Sequence, residues 1–212
     1  MGFFKTIKEF IDSHYKTPRG IIGAYIGEKM VRQHKTENNW SIELMNIQQG
    51  DRILELGCGA GYAIKLIFEN HLAEEIVGLD ISSTIIRSAR IRNKKAINEK
   101  RVKLVQANFN KLPFPNEAFN TVFSIQTIYF WTDITTTLSE IFRVLEPKGV
   151  IILTFSDCKE NETWESIRSI TENQVIPSMK KAGFRDVTFV RGPDSRGYHT
   201  VAVRGKRPAL GS

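Results

Sequence analysis

The segment Arg52-Ile-Leu-Glu-Leu-Gly-Cys-Gly-Ala-Gly-Tyr62 carries a short apolar run that leads directly into three closely spaced glycines. The apolar run predicts a buried strand, and residues 63–68 after the glycines are apolar at helical spacing. Gly57 permits a tight turn because it has no Cβ to clash at positive φ. A strand, a glycine-rich turn and a helix together form the unit that binds nucleotide-like ligands in open α/β sheets.

A second apolar run, Ile76-Val-Gly-Leu-Asp80, ends in a carboxylate that lies 19 residues after Gly61. At about this spacing an acidic side chain on the second strand reaches the two hydroxyl groups of a bound ribose. A carboxylate at that place would repel a 2′-phosphate. The sequence therefore predicts a ligand that contains an unphosphorylated adenosine.

The two motifs, Glu55-Leu-Gly-Cys-Gly-Ala-Gly61 and Gly78-Leu-Asp80-Ile81-Ser82, resemble those of the class I methyltransferases that use S-adenosylmethionine. The resemblance is specific from about residue 51 to 155. It implies an α/β fold with an open, mostly parallel, Rossmann-like sheet of seven strands, helices on both faces and a C-terminal hairpin with one antiparallel strand. In these two motifs, the residues expected to bind the cofactor are Glu55, Gly57, Cys58, Gly59, Asp80 and Ile81.

Two further turns are expected to complete the cofactor site. The turn after the predicted third strand, Val102 to Val105, matches the place where the family has an acid that accepts from the adenine amino group. Asn108 stands there, and its amide oxygen can still accept; the alternative is that it is only a turn residue. Phe109 would offer its backbone N–H to the ring. After the fourth strand, Ser124 and Ile125 are expected to meet the amino group of the cofactor through their backbone carbonyls.

The acceptor must be bound by residues outside the glycine-rich core, which supplies only cofactor contacts. Because ligands of open α/β sheets lie at the carboxyl ends of the strands, Gln126, Tyr129 and Trp131 are predicted to form one wall of the acceptor pocket. The opposite wall is predicted to come from Tyr25 and Trp40 in an N-terminal helical lid. The alternative for the aromatic residues is a place in the core.

The catalytic residues stay open at this point. The resemblance implies a sulfonium methyl group that is already activated, so positioning and desolvation supply most of the acceleration. No acid or histidine stands out after the fourth or fifth strand. His14 and His34 in the N-terminal segment are candidates for a base, although a lone histidine is more often structural. A missing base favours a thiol, an acidic carbon or a neutral amine as the acceptor.

The remaining helices and strands are predicted from hydrophobic periodicity and from the residues that typically begin or end such elements. Helices are predicted over 3–15, 21–34 and 40–47, the last capped by Asn39 or Ser41, and these three form an N-terminal cap over 1–50. The domain that binds the cofactor is predicted over 51–207. It has helices over 83–97, 134–145 (capped by Asp133) and 162–181 (bent or broken near Pro177), and strands over 119–125, 150–155, 185–191 and 198–204.

Composition limits the partners and the compartment. The net charge of the 212 residues is +7, and it arises between Arg87 and Lys103, where eight basic residues stand against Glu99 alone. We interpret this run as a solvated helix face, with an anionic partner as the alternative; no aromatic residues are interleaved, so nucleic acid is disfavoured. No apolar run reaches the roughly 20 residues that cross a bilayer. Two cysteines and no signal sequence favour the cytoplasm, and the histidines show no metal-ligand spacing.

Three other functions share part of this pattern. An NAD-dependent oxidoreductase would also need a hydride-site acid such as a Tyr-Lys pair, and none is evident. An amino-methyltransferase of nucleic acids would carry Asn or Asp and Pro-Pro-aromatic where this chain has Ser124-Ile-Gln-Thr. A non-catalytic protein that retains the cofactor site would bind the cofactor without converting it. The pattern is most similar to methyltransferases of small molecules, and the sequence does not specify which acceptor is used.

Overall fold

The computed structural model describes residues 34–160, 162–209 and 211. The helices are α1 (Lys35–Met45), α2 (Tyr62–Asn70), α3 (Ser83–Arg92), α4 (Lys94–Asn98), α5 (Ile134–Val144), α6 (Glu165–Ile170) and α7 (Ile176–Ala182), with a 3₁₀ turn over Ile128–Phe130 and a π-helical turn over Thr171–Val175. The strands are β1 (Arg52–Leu56), β2 (Glu75–Asp80), β3 (Val102–Gln106), β4 (Phe119–Ile125), β5 (Leu145–Lys159), β6 (Glu162–Thr163), β7 (Arg185–Ser195) and β8 (Tyr198–Lys206).

The strands of the described residues form one sheet in the order β3-β2-β1-β4-β5-β8-β7, and β6 pairs with the end of β5. The first five strands in this order are parallel, whereas β8 runs antiparallel to both β5 and β7. The order reverses at β1 and β4, and such a switch point opens a crevice at the carboxyl ends of the strands. The predicted fold, including its antiparallel C-terminal hairpin, is confirmed; β6 is an addition of two residues.

Both faces of the sheet are covered because successive side chains of a strand point to opposite faces. Leu54 and Val77 face a core formed with α5 and α7, and Ile53 and Ile76 face a second core formed with α1, α2 and α3. These strand residues are at most 2% exposed. Removing a side chain of this size from water stabilises the fold by about 1.5–3 kcal/mol. The apolar runs in the sequence are continuous because the strands are buried on both sides.

Three helix predictions need correction. The helix predicted over 83–97 is divided at Asn93, whose buried side chain donates to the Ala89 carbonyl and to the Gly61 carbonyl of the glycine turn. The segment from 162 begins as β6, and helical structure starts at Glu165. The π-helical turn over Thr171–Val175 interrupts the α-helical geometry just before Pro177, in agreement with the predicted bend or break near that residue. The division at Asn93 could not be predicted, because its side-chain hydrogen bond to the distant Gly61 carbonyl leaves no mark on the hydrophobic periodicity.

The N-terminal helix begins at Lys35, five residues before the predicted start, so Asn39 and Ser41 do not cap it. Ser41 lies inside α1 and is buried, with its hydroxyl 2.7 Å from both Thr154 Oγ1 of β5 and the Glu37 carbonyl. This contact fastens α1 across the carboxyl end of β5. The predicted helix over 3–15 and nearly all of that over 21–34 lie outside the described residues. Asp133 caps α5 as predicted, accepting from the Thr136 backbone at 2.9 Å.

Within the described part of the chain, no helix is long and apolar enough to cross a membrane. Cys58 and Cys158 are both buried, and neither forms a disulfide.

Candidate active site

A cavity of about 440 Å³ opens at the carboxyl ends of β1, β2 and β4, where the strand order reverses. It contains most of the residues that the sequence predicted for the cofactor and the acceptor. Those that line it are Glu55, Gly57, Cys58, Gly59, Asp80, Ile81, Asn108, Phe109, Ile125, Gln126, Tyr129 and Trp131. The site thus has a glycine-rich end beside β1 and β2 and an aromatic end after β4.

The glycine turn is fixed by the end of the neighbouring strand. The backbone N–H groups of Gly57 and Cys58 donate to the Leu79 carbonyl of β2 at 2.7 and 3.0 Å. Gly57 has φ +74°, and a Cβ there would lie 2.4 Å from Cγ2 of Thr127. Gly59, at φ +51°, has no heavy atom within 4 Å of the place of its missing Cβ. The turn therefore leaves open space beside Gly59 that a ligand can fill.

Two carboxylates border this space, and each retains capacity for a ligand. Asp80 accepts the Gly59 N–H at 3.1 Å through Oδ2 and the Ser82 N–H at 2.9 Å through Oδ1, so both oxygens keep a lone pair. Glu55 is 3% exposed, and its Oε2 is buried without a hydrogen bond. Burial, and then the charge of Asp80, raises the pKa of Glu55 well above its ordinary 4.5. Burial likewise raises the pKa of Asp80, against the effect of its backbone donors.

The turn after β3 is built by Asn108, which is exposed and accepts the Asn110 N–H at 3.0 Å through Oδ1. Its amide oxygen thus acts first as a turn acceptor, and the role proposed for it at the adenine ring depends on the second lone pair. Phe109 packs edge-on against Trp131, with ring centroids 6.1 Å apart. The indole N–H of Trp131 donates to Thr127 Oγ1 at 3.0 Å. These contacts connect the turn after β3 with the turn after β4.

A hydrogen-bond network fixes the aromatic end of the cavity. Tyr129 accepts the Ser156 N–H at 2.7 Å, and its hydroxyl lies 2.7 Å from Gln126 Oε1 and 2.9 Å from the Ser156 carbonyl. The other side of the Gln126 amide donates to Ser156 Oγ at 2.9 Å. Gln126 has φ +58°, an uncommon conformation for a residue with a side chain. Burial raises the pKa of the Tyr129 phenol, so it stays protonated.

Three of the predicted site residues do not line the cavity or cannot be placed. The Ser124 hydroxyl is buried against Thr127 Oγ1, and Ser124 does not reach the cavity. Trp40 packs its ring against Gly192 of β7, where a Cβ would lie 2.7 Å from the indole. Tyr25 lies outside the described residues.

Other residues that received no predicted binding role also line the cavity, among them Asn38, Thr127 and His34, which was predicted only as a candidate base. His34 precedes α1 and Asn38 lies one turn later, and the Asn38 amide donates to the His34 carbonyl. Their spacing of four residues places them on one helix face, which is the signal in the sequence that connects Asn38 with His34. Thr127 could be recognised only from its contact with Gly57.

Comparisons with known proteins place this geometry in a family. The family model described as a methyltransferase domain matches residues 54–153. YrhH of Bacillus subtilis, which is named as a methyltransferase, is 31% identical over 157 residues, or 74% of this chain and 81% of YrhH. The chain belongs to the methyltransferase family.

Two further matches compare this methyltransferase with more distant proteins. The 24-methylenesterol C-methyltransferase 2 of Arabidopsis thaliana is 27% identical over 146 residues, which cover 66% of this chain but only 40% of the plant protein. A Haloferax volcanii methyltransferase, solved in complex with the Trm112 methyltransferase activator, has a TM-score of 0.74 at 19% identity over 89% of this chain and 96% of its own. The second match confirms the fold.

The cofactor of this methyltransferase is S-adenosylmethionine, as the sequence predicted. The site residues fit it: Asp80 has lone pairs for the ribose hydroxyls, and the buried, unpartnered Oε2 of Glu55 suits the cationic methionine end. The open space beside Gly59 lets the backbone approach the ligand closely. When bound, S-adenosylmethionine supplies a methyl group on a positively charged sulfur, which a nucleophile displaces in line.

Proposed function

We propose that this enzyme transfers the methyl group of S-adenosylmethionine to a small, largely apolar acceptor that lies between α1 and the turn after β4. The observation that carries this proposal is a continuous cavity of about 440 Å³, which extends from the glycine turn to Tyr129 and Trp131 and is bordered by His34. Its volume falls within the range of small-molecule sites, about 300–1,000 Å³. The sterol methyltransferase among the relatives supports a small-molecule acceptor.

The chain's own residues would act mainly by positioning. Gln126 and Tyr129 are fixed by Ser156 before any ligand enters, so this wall does not need to reorganise. Holding the acceptor against the methyl group converts a bimolecular step into an intramolecular one. An acceptor that ionises readily needs no strong base in the cavity. We therefore favour a thiol, an acidic carbon or a neutral amine.

The domain division and the compartment belong to the same proposal. Residues 1–50 would act as a cap and residues 51–207 as the domain that binds the cofactor; in the described part of this cap, α1 is anchored to β5 through Ser41. Tyr25 would complete the lid. Two free, buried cysteines fit a reducing cytoplasm, which we propose as the location.

The experiment tests one acceptor of each class. The full-length protein is incubated with S-adenosylmethionine and with thiophenol, acetylacetone or benzylamine, and both S-adenosylhomocysteine and the methylated product are measured by mass spectrometry. We expect methylation of at least one acceptor, and markedly less methylation by an Asp80→Ala control at a cofactor concentration near the wild-type Kd. A protein that binds the cofactor but methylates none of the three contradicts the proposal and favours a non-catalytic binder.

The lid is tested separately in the full chain. Tyr25→Ala should lower methyl transfer while the calorimetric affinity for S-adenosylhomocysteine stays within about twofold. Unchanged transfer would remove Tyr25 from the acceptor pocket.

A further inference from the structure

The ring of His34 is held at the edge of the cavity by two charged residues. Its Nδ1 lies 3.3 Å from Nη2 of Arg196, which belongs to the turn between β7 and β8. The same nitrogen lies 3.6 Å from Oε1 of Glu37 in the first turn of α1. Arg196 also donates to Glu37 Oε1 at 3.1 Å. Two elements that are far apart in the chain therefore meet at one histidine.

Glu37 explains why the guanidinium lies there. Its side chain has no exposed surface, and its Oε2 has no hydrogen bond. Burial alone would raise the pKa of Glu37, but the donors around the carboxylate, Arg196 among them, outweigh burial and lower the pKa. A buried, charged carboxylate needs a cation close by. Arg196 fills that need and is further held over the Tyr198 ring, 5.2 Å from its centroid.

The geometry selects one tautomer of His34. A guanidinium has only donors, so the 3.3 Å contact with Arg196 favours the tautomer in which Nδ1 accepts and carries no proton. The 3.6 Å separation from Glu37 is too long for a hydrogen bond that would favour a proton on Nδ1. In the neutral ring the proton then lies on Nε2. Within residues 34–160, 162–209 and 211, Nε2 has no hydrogen-bond partner, and His34 lines the cavity.

From this arrangement we infer that His34 binds the methyl acceptor by donating its Nε2–H to an oxygen of the acceptor, with Arg196 as the positioning residue that sets the tautomer. The inference rests on the proposed function and narrows it. The acceptor carries a carbonyl, enolate or hydroxyl oxygen next to the atom that is methylated. In this assignment His34 donates a hydrogen bond through Nε2–H and does not act as the base.

The first test needs no acceptor. Long-range ¹H–¹⁵N spectra of the S-adenosylhomocysteine complex, recorded at a pH where imidazole is neutral, show which nitrogen of each histidine carries the proton. We expect Nε2–H for His34 and a mixture of tautomers in Arg196→Met. Arg191→Met is the matched control, because Arg191 Nη2 makes a similar contact of 3.4 Å with His199 Nδ1 away from this cavity. A wild-type His34 with the proton on Nδ1, or a tautomer unaffected by Arg196→Met, overturns the inference.

The second test measures the acceptor role with acetylacetone, whose oxygens lie beside an acidic carbon. His34→Leu should lower kcat/KM about three- to tenfold, as expected for one lost hydrogen bond. His34→Gln should recover most of the loss, since its amide can donate from nearly the same place but cannot act as a base. Affinity for S-adenosylhomocysteine should stay within about twofold in both variants.

Equal rates for His34→Leu and the wild type, or a Gln variant no better than Leu, overturn the inference. Methylation of thiophenol or benzylamine but not of acetylacetone overturns the acceptor role alone, because neither of the first two carries an oxygen. Absence of methylation with all three acceptors overturns the proposed function and the acceptor role together. In that case the tautomer spectra still report the Arg196 contact independently.

Discussion

The two ends of the cavity are built in different ways. The cofactor end is made by consecutive residues of β1, β2 and their turns, and its contacts run largely through backbone, as when Gly57 and Cys58 donate to Leu79. The aromatic end, which we propose for the acceptor, is lined by side chains such as His34, Gln126 and Tyr129, and these are held by distant residues: Ser156 of β5 and Arg196 between β7 and β8. An end that is built from consecutive backbone groups can be predicted from a short sequence motif. An end that is built from side chains far apart in the sequence can be recognised only in the folded structure.

The largest effect is expected where the two ends meet, at the contact between Gly57 and Thr127. Gly57→Ala would place a Cβ 2.4 Å from Thr127 Cγ2 and force a side chain into φ +74°. We expect a loss of about 2 kcal/mol or more in the free energy of unfolding, together with loss of cofactor binding. Adding Thr127→Ser removes the clashing methyl and keeps the hydroxyl that Trp131 uses. Urea unfolding should show that the double variant recovers part of the lost free energy of unfolding. No recovery would mean that the clash with Thr127 is not the cause of the loss.

The next largest effect should be confined to the cofactor end. Asp80→Ala removes the acceptor predicted for the ribose hydroxyls and also leaves the Gly59 and Ser82 N–H groups unpaired. A charge-assisted hydrogen bond contributes about 1.5–3 kcal/mol, so calorimetry should show tenfold or weaker binding of S-adenosylhomocysteine. An unchanged affinity would remove Asp80 from the ribose site.

The sequence could predict the cofactor end because its constraints are local. The strands of a parallel sheet are continuous apolar runs, so β1, β2, β4 and the buried part of β5 were evident, and the spacing from Gly61 located Asp80. The acceptor end depends on pairs that are far apart in sequence, such as Arg196 with His34, and no local pattern encodes them. Trp40 shows the same limit: its place was assigned from residue type, but the fold packs it on Gly192.

A third prediction concerns the stability of the protein without cofactor, which the buried carboxyl group of Glu55 should make dependent on pH. The pKa of Glu55 is raised in the folded state, so above pH 4.5 the folded state binds more protons than the unfolded state. The free energy of unfolding must then fall as the pH rises, by at most about 1.4 kcal/mol per pH unit for one group. Glu55→Gln should flatten this dependence in thermal unfolding and weaken cofactor binding. An unchanged pH profile would show that Glu55 is already ionised.

A smaller effect is expected at the acceptor end. Tyr129→Phe removes the hydroxyl that the Ser156 N–H and Gln126 use, and so loosens the wall without touching the glycine turn. Turnover of acetylacetone should fall about three- to tenfold, while cofactor affinity stays within about twofold. Tyr198→Phe is the control, because that hydroxyl makes no hydrogen bond within the described residues. Equal losses of turnover and cofactor affinity would mean that the two ends are not separable.

The smallest effect is expected outside both ends, on the basic run from Arg87 to Lys103. Part of its charge is structural: Arg101 donates to the carbonyls of His71 and Ala73, and Lys103 pairs with Glu75. Arg87, Arg90 and Lys94 are exposed and form no ion pair with the described residues, as expected of a solvated face. Replacing these three with Gln should leave turnover and cofactor affinity unchanged. Gel shifts with duplex DNA and with RNA at low and high salt provide the opposing test. Binding that falls steeply with salt in the wild type and is lost in the triple variant would identify the face as a site for nucleic acid.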